Sequence, residues 1–382
     1  MVNNRFLALL LAMGPSLGIG PTAWAEQQGL LAEKGLGPGS AEDTDGVQKI
    51  PVRVVLVTMF EIGEDEGDQA GEFQLWKERR ALNERFAFPQ SHHDLFYNRD
   101  SKILGMVTGV GTAKSAAAIM ALGLDPRFDL TQSYWLVAGI AGIDPEDASI
   151  GSAVWSSYLV DGDLAHEIDP RETPADWPHG YFALRTKRPL DPSKPEPRGE
   201  LFIANESLTD WAYELTKDVA LPDTEGLQAE RVKYTEHPLA QQSPAVYRGG
   251  HLAAMTFWHG ALLNAWANDW VDYWSEGKAD FVTSGMEETG TFQSLEYLDR
   301  AGRVDRQRAL VLRAGSNYTM PPPGRTAAQS MAQEGEGFSG LNESLEALYR
   351  VGSVVIDELL ENWDKFEAQR PDEFAEPSRS AQ

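Results

Sequence analysis

Two adjacent carboxylates, Glu287 and Glu288, close an apolar run in Asp280-Phe-Val-Thr-Ser-Gly-Met-Glu-Glu-Thr-Gly290. Ionised carboxylates only accept hydrogen bonds, so the pair suits a ligand that presents hydroxyl donors, such as a ribose diol. The run before them reads as a short buried strand. Acids at the carboxyl end of a parallel strand stand where open α/β sheets hold their ligands. A second candidate is Leu136-Val-Ala-Gly-Ile-Ala-Gly-Ile-Asp-Pro145, where Gly139 and Gly142 at a strand end let a ligand approach the backbone closely. Gly109-Val-Gly111 is no dinucleotide fingerprint, because Lys114 takes the place of the third glycine. Its glycines read first as those of an ordinary tight strand–helix turn. Asp161-Gly-Asp-Leu-Ala-His166-Glu-Ile-Asp169 has residue types that can bind a metal. There is no paired His-x-x-x-His, however, and the other histidines are scattered, so neither a metal nor a cofactor is expected.

The elements that must position these residues alternate. Val52–Thr58 and Ile103–Thr108 read as buried strands, and Gly109-Val-Gly111 leads into an Ala-rich helix, Thr112–Leu124. Ser133–Ala138 is the next strand, completing a βαβ unit for which a right-handed crossover is expected. Gly151–Val160 continues as a strand, and Leu208–Val219 as a helix with Asn205 or Ser207 as cap. Helices over Ala261–Trp274 and Thr291–Ala301 enclose the strand at Asp280–Thr283. Arg308–Arg313 is a late strand, and Leu341–Phe366 a closing helix with one apolar stripe. This alternation predicts a single α/β domain over residues 49–370, a central mixed twisted sheet flanked by helices.

Composition narrows the partners. A net charge of −25 on 382 residues argues against nucleic acid polymers and anionic membrane surfaces. Arg5, the apolar run Phe6–Met13 and Ala23-Trp24-Ala25 fit an export signal cut after Ala25. The protein is therefore expected to be exported, to the periplasm or outside the cell. Residues 26–48 read as a flexible leader and 371–382 as a disordered polar tail. With no cysteine, disulfides, thiol catalysis and thiolate metal sites are excluded. No segment is long and apolar enough for a membrane span; Ala253–Trp274 comes nearest and is interrupted by His259, Asn264, Asn268, Asp269 and Asp272.

Thr108-Gly-Val-Gly111, Ala138-Gly-Ile-Ala-Gly-Ile-Asp-Pro145 and Gly151-Ser-Ala-Val154 together resemble the nucleoside phosphorylase/nucleosidase superfamily. Thr283-Ser-Gly-Met-Glu-Glu-Thr-Gly290 and Leu312-Arg-Ala-Gly-Ser-Asn-Tyr-Thr-Met-Pro-Pro-Pro-Gly324 resemble, more closely, its divergent purine nucleoside permease branch. The likeness runs from about residue 49 to 370. It implies a nucleoside phosphorylase-like fold and a small-molecule purine nucleoside as ligand. A homo-oligomer is compatible with it, since superfamily members commonly form dimers or hexamers. By resemblance Met286 lies beneath the sugar and Glu287 accepts the ribose hydroxyls. The clamp's first Glu is Gly285 here, and Glu288 either replaces it or faces solvent. Asn317 matches the residue that contacts the purine near N7. Trp258, or Phe257, is placed on the purine face, a role that competes with that of an ordinary core aromatic.

The implied chemistry is cleavage of the N-glycosidic bond through an oxocarbenium-like state. Glu61 is placed like the acid that activates water in the superfamily's nucleosidases, although a solvated loop acid is an equal alternative. The phosphate-contacting positions of the phosphorylases fall near Val137 and Ile140, which cannot bind an oxyanion through their side chains. The loop Thr58–Asp68 adds five acids and no base. Hydrolysis by Glu61 and Asn317 is therefore expected ahead of phosphorolysis. Nucleoside binding that supports uptake without cleavage is the alternative.

Overall fold

The apolar run after Pro51 forms strand Val54–Thr58, buried along its whole length. Its side chains alternate between two cores, as a period of two requires. Val54 and Leu56 join one cluster with Trp76, Leu136 and the helix Leu341–Glu361. Val55 and Val57 join the other with Ala118, Ile119, Leu122, Phe292, Leu295 and Leu298, which lie on helices Thr112–Leu124 and Glu288–Arg300. Helices thus cover both faces of the sheet. The computed structural model describes residues 48–334 and 337–374. The expected signal peptide, nearly all of the leader and the tail beyond residue 374 lie outside the described residues.

The main sheet carries both parallel and antiparallel pairs. Strands Ile103–Val107 and Tyr134–Ile143, joined through helix Thr112–Leu124, both run parallel to Val54–Thr58, which lies between them. The expected βαβ unit is present, and the expected mixed α/β architecture with it.

Several boundaries differ from expectation, and three of the differences bear directly on the site. Strand Tyr134–Ile143 does not stop at Ala138, because Ala309–Tyr318 pairs with it all the way to Ile143. Gly139 and Gly142 are therefore inside a strand. The expected strand over Gly151–Val160 breaks at Ser157. Ala153–Ser156 pairs antiparallel with Ala309–Tyr318, and Tyr158–Asp161 pairs parallel with Gly250–Ala253. The helix expected from Thr291 begins at Glu288 with Glu287 as its N-cap, so the acidic pair straddles a helix start. A hairpin of Glu84–Phe86 and Leu95–Asn98 extends one sheet edge without a clear signal in the sequence.

The sheet opens along strand Tyr134–Ile143. Its ladder with Val54–Thr58 ends at Val57 opposite Val137. Beyond that point Gly142 and Ile143 pair instead with Ser284 and Thr283 of the antiparallel strand Phe281–Gly285. A strand that changes partners leaves a crevice, and ligands of open α/β sheets bind at such switch points.

Candidate ligand-binding site

The crevice is a cavity of about 320 Å³. Its walls include Met59 and Phe60 after the first strand, Ile140 to Gly142, Thr256 to Trp258, Ser284 to Glu287, and Ser316, Asn317 and Thr319. Val110, Phe338 and Glu72 complete it. Most of the lining is apolar, which suits a flat, weakly polar ligand body held by a few directed polar groups.

Glu72 fills the gap where the strands part. Its carboxylate accepts from the Met59 N–H at 2.7 Å and the Ile140 N–H at 2.8 Å. These are the backbone donors that the interrupted ladder leaves over, and a buried donor without a partner would be costly. Glu72 is only 3% exposed. Burial pushes its pKa up to about 8; Arg313 opposes that rise and Glu287 adds to it. Each Glu72 oxygen carries one backbone bond, leaving acceptor capacity free on both.

Gly139 makes this arrangement possible, though by a different route from the one expected. A Cβ there would stand 2.0 Å from Met59 Cε and 2.7 Å from both Arg313 Nη1 and Glu72 Oε1. The close approach is by protein side chains, and Gly139 does not line the cavity. Gly142 does line it, with Thr319 and Asn317 nearest its missing Cβ.

Glu287 faces the cavity from the start of its helix. Oε1 accepts the Gly111 N–H at 3.0 Å, and Oε2 accepts Arg313 Nη2 at 2.9 Å and the Met286 N–H at 3.2 Å. Gly111, from the turn that is no dinucleotide fingerprint, thus positions the acid. Met286 lines the cavity, while its carbonyl accepts from Thr112 Oγ1.

Glu288 turns away from the cavity into a fully buried cluster. It accepts from His251 Nε2 at 2.7 Å and pairs with the Arg313 guanidinium. It therefore neither faces solvent nor joins the cavity wall. Burial works against its ionisation, yet Arg313 and His251 hold its pKa well below the usual carboxylate range. Gly285 is required beneath this cluster: a Cβ would lie 2.9 Å from two His251 ring atoms and 3.1 Å from Arg313 Cζ. Neither His251 nor Arg313 carries a functional signal of its own in the sequence. Only the fold brings them together.

Asn317 reaches the cavity through a register shift of its strand, in which Gly315 faces Ala141 and Asn317 faces Gly142. Its Oδ1 accepts from Ser316 Oγ at 3.1 Å, which fixes the amide's orientation. Trp258 lines the cavity and packs against Trp266 and Phe281. Phe257 also lines it and lies parallel to Phe338, with centroids 6.0 Å apart.

Glu61 is not part of the cavity. Its carboxylate accepts from the backbone N–H groups of Ile62, Gly71, Phe73 and Gln74, and so folds the acidic loop onto the start of helix Gln74–Arg79. That loop then presents Glu72. Glu72 carries no signal in the sequence beyond standing directly before Phe73-Gln-Leu-Trp76. Glu61→Ala is expected to lower stability by about 1–2 kcal/mol, as for a lost cap. A reduced midpoint in denaturant unfolding checks this.

Among the described residues no Lys or Arg lines the cavity. Arg313, the cation behind it, is committed to Glu287, Glu288 and the Ile140 carbonyl. Asp161 is likewise occupied, by the N–H groups of Asp163 and Leu164 and the Thr289 hydroxyl. No described group of His, Asp and Glu is arranged to hold a metal ion, and no described helix is long and apolar enough to cross a membrane.

A purine nucleoside permease of Candida albicans is 32% identical over 280 residues, 71% of this chain and 67% of that protein. A probable purine nucleoside permease of Schizosaccharomyces pombe is 28% identical over 284 residues, 72% of this chain and 80% of that protein. Among solved structures, a 5′-methylthioadenosine/S-adenosylhomocysteine nucleosidase of Helicobacter pylori is 14% identical with a TM-score of 0.48, covering 81% of this chain and all of that one. The futalosine hydrolase of the same organism is 16% identical with a TM-score of 0.45, covering 82% of this chain and 99% of that one. The family model for purine nucleoside permease matches residues 51–371, and the chain belongs to that family.

Proposed function

We propose that the protein binds purine nucleosides and hydrolyses their N-glycosidic bond, with Glu72 in the water-activating position first expected of Glu61. One observation carries this reading: a buried carboxylate with free acceptor capacity and a raised pKa shares a cation-free cavity with the acceptor Glu287. General bases are tuned toward the working pH by such burial. In the proposed reaction Glu287 holds a ribose hydroxyl, Met286 underlies the sugar, and Trp258 packs on the purine. Gly142 lets the ligand lie close to the strand. Water attacks the anomeric carbon as the C–N bond breaks. The bond's electron pair passes to the purine, which Asn317 steadies with an amide hydrogen bond. Glu72 takes the proton from water and returns it, through solvent, to the departing base. The balance is nucleoside plus water to free base plus ribose.

Phosphorolysis finds less support, since phosphate wants Arg forks or several N–H and hydroxyl donors. Two carboxylates and no lining Lys or Arg oppose a dianion. Nucleoside binding in support of uptake, without cleavage, is the second reading. It is favoured by Gly285, which leaves a single clamp carboxylate on the cavity.

Incubation with adenosine, inosine and guanosine, with and without phosphate, separates these readings by chromatography of base and sugar. Free base with free ribose, independent of phosphate, is the expected result. Ribose 1-phosphate would overturn hydrolysis. Intact nucleoside with measurable binding would establish the uptake role, and absence of binding would reject both.

A further inference from the structure

The cluster behind Glu287 holds a histidine that no step of the proposed reaction uses. His251 lies on strand Gly250–Ala253, is fully buried and does not line the cavity. Its Nε2 is 2.7 Å from Glu288 Oε2, and its Nδ1 is 2.9 Å from Thr283 Oγ1. Glu288 pairs with Arg313, whose guanidinium reaches Glu287 Oε2 at 2.9 Å and the Ile140 carbonyl at 2.8 Å. The Ile140 N–H in turn donates to Glu72. A continuous chain of polar contacts therefore joins His251 to Glu287, and Arg313 also holds the Ile140 backbone whose N–H serves Glu72.

We propose that His251 is a positioning residue for the nucleoside site, acting through Glu288 and Arg313 on the way Glu287 is presented to the cavity. The proposal rests on the nucleoside-binding reading above. Arg313 has a limited number of donors and divides them between Glu287, Glu288 and a carbonyl. A second donor on Glu288 reduces that carboxylate's demand on Arg313. Without His251, the guanidinium is drawn toward Glu288 and away from Glu287.

Both ring nitrogens are held. Glu288 is kept ionised and accepts only, so His251 Nε2 donates to it. Nδ1 bonds the Thr283 hydroxyl, which fixes the ring against strand Phe281–Gly285.

The test is a double-mutant cycle on the full chain, His251→Gln against Glu287→Gln, read as adenosine affinity by calorimetry. His251→Gln is expected to weaken binding roughly tenfold, and to do so far less when Glu287 is already Gln, because both changes act on one interaction. Additive effects would reduce His251 to a packing residue and overturn the proposal. If His251→Gln does not fold, the wild-type chain labelled with ¹⁵N-histidine decides the matter. A shift of the buried His251 ring resonances on adenosine binding supports the chain of contacts, and unmoved resonances sink it. Should wild type not bind adenosine, inosine or guanosine at all, it is the nucleoside reading that has failed, which the wild-type titration shows first.

Discussion

Glu72→Gln is expected to slow the proposed hydrolysis by about 10²–10⁴-fold, the usual worth of a positioned general base, while nucleoside affinity stays within a few-fold of wild type. The amide keeps one acceptor for a backbone N–H but cannot take a proton from water. Wild type should also show an acid limb. Glu72 has a pKa of about 8 in the empty site, raised by burial against the help of Arg313, so the base form is scarce at pH 6 and abundant at pH 9. Turnover should climb through that range, and the residual activity of Glu72→Gln should lack the limb. A steady-state pH profile of both proteins checks this, and equal rates would require another group to activate water.

The same group leaves a mark on stability with the opposite sign. A carboxyl whose folded pKa lies above its unfolded value near 4.5 binds more protons when folded. Its contribution is full below about pH 4.5 and is lost as pH rises through about 8. Without ligand, wild type should therefore lose melting temperature across that window relative to Glu72→Gln. Raising the pH that switches the base on thus removes one of the fold's supports.

Much of this architecture is legible in the residues. Helix Thr112–Leu124 matches its predicted span, and the apolar runs at Val54 and Ile103 mark their strands. Asn205 caps its helix by accepting the Leu208 N–H, as its type suggests. The site is legible only where a motif is local: Met286, Glu287 and Asn317 fall on one cavity together with Gly142 and Trp258. Choosing between Glu61 and Glu72 depends on knowing that two strands part at Val137, a fact of pairing 80 residues apart that no local pattern encodes. The role of Gly139 is hidden for the same reason, since the atoms it makes room for come from Met59, Glu72 and Arg313. Glu288 looked like half of a ligand-facing pair, because adjacent residues in a sequence say nothing of facing. At a helix start they diverge by about 100°, which sends one acid to the cavity and the other to His251.

Glu287→Ala is expected to weaken nucleoside binding at least 100-fold, by two effects that add. Oε2 of Glu287 already serves Arg313 and Met286, and Oε1 serves Gly111. With roughly two lone-pair sites per oxygen, one acceptor on Oε1 remains for a ribose hydroxyl. A hydrogen bond to a charged acceptor contributes about 1.5–3 kcal/mol, or roughly 10–150-fold in affinity. Truncation also leaves Arg313 with one carboxylate fewer in a buried site. Breaking a buried ion pair by removing one partner commonly costs about 3–5 kcal/mol. The released guanidinium then has reason to swing toward the cavity, where Glu72 is the nearest free acid. Glu287→Gln separates the two effects: it keeps an oxygen for the ribose and the shape of the clamp, and loses only the charge. Affinity should follow wild type, then Gln, then Ala, in calorimetric titration with adenosine, the Ala variant having first been shown folded by circular dichroism. A folded Glu287→Ala with wild-type affinity would remove the carboxylate from the ligand altogether. A Gln variant as weak as Ala would instead show that charge complementarity with Arg313, and not the hydrogen bond to ribose, holds the clamp in its binding form.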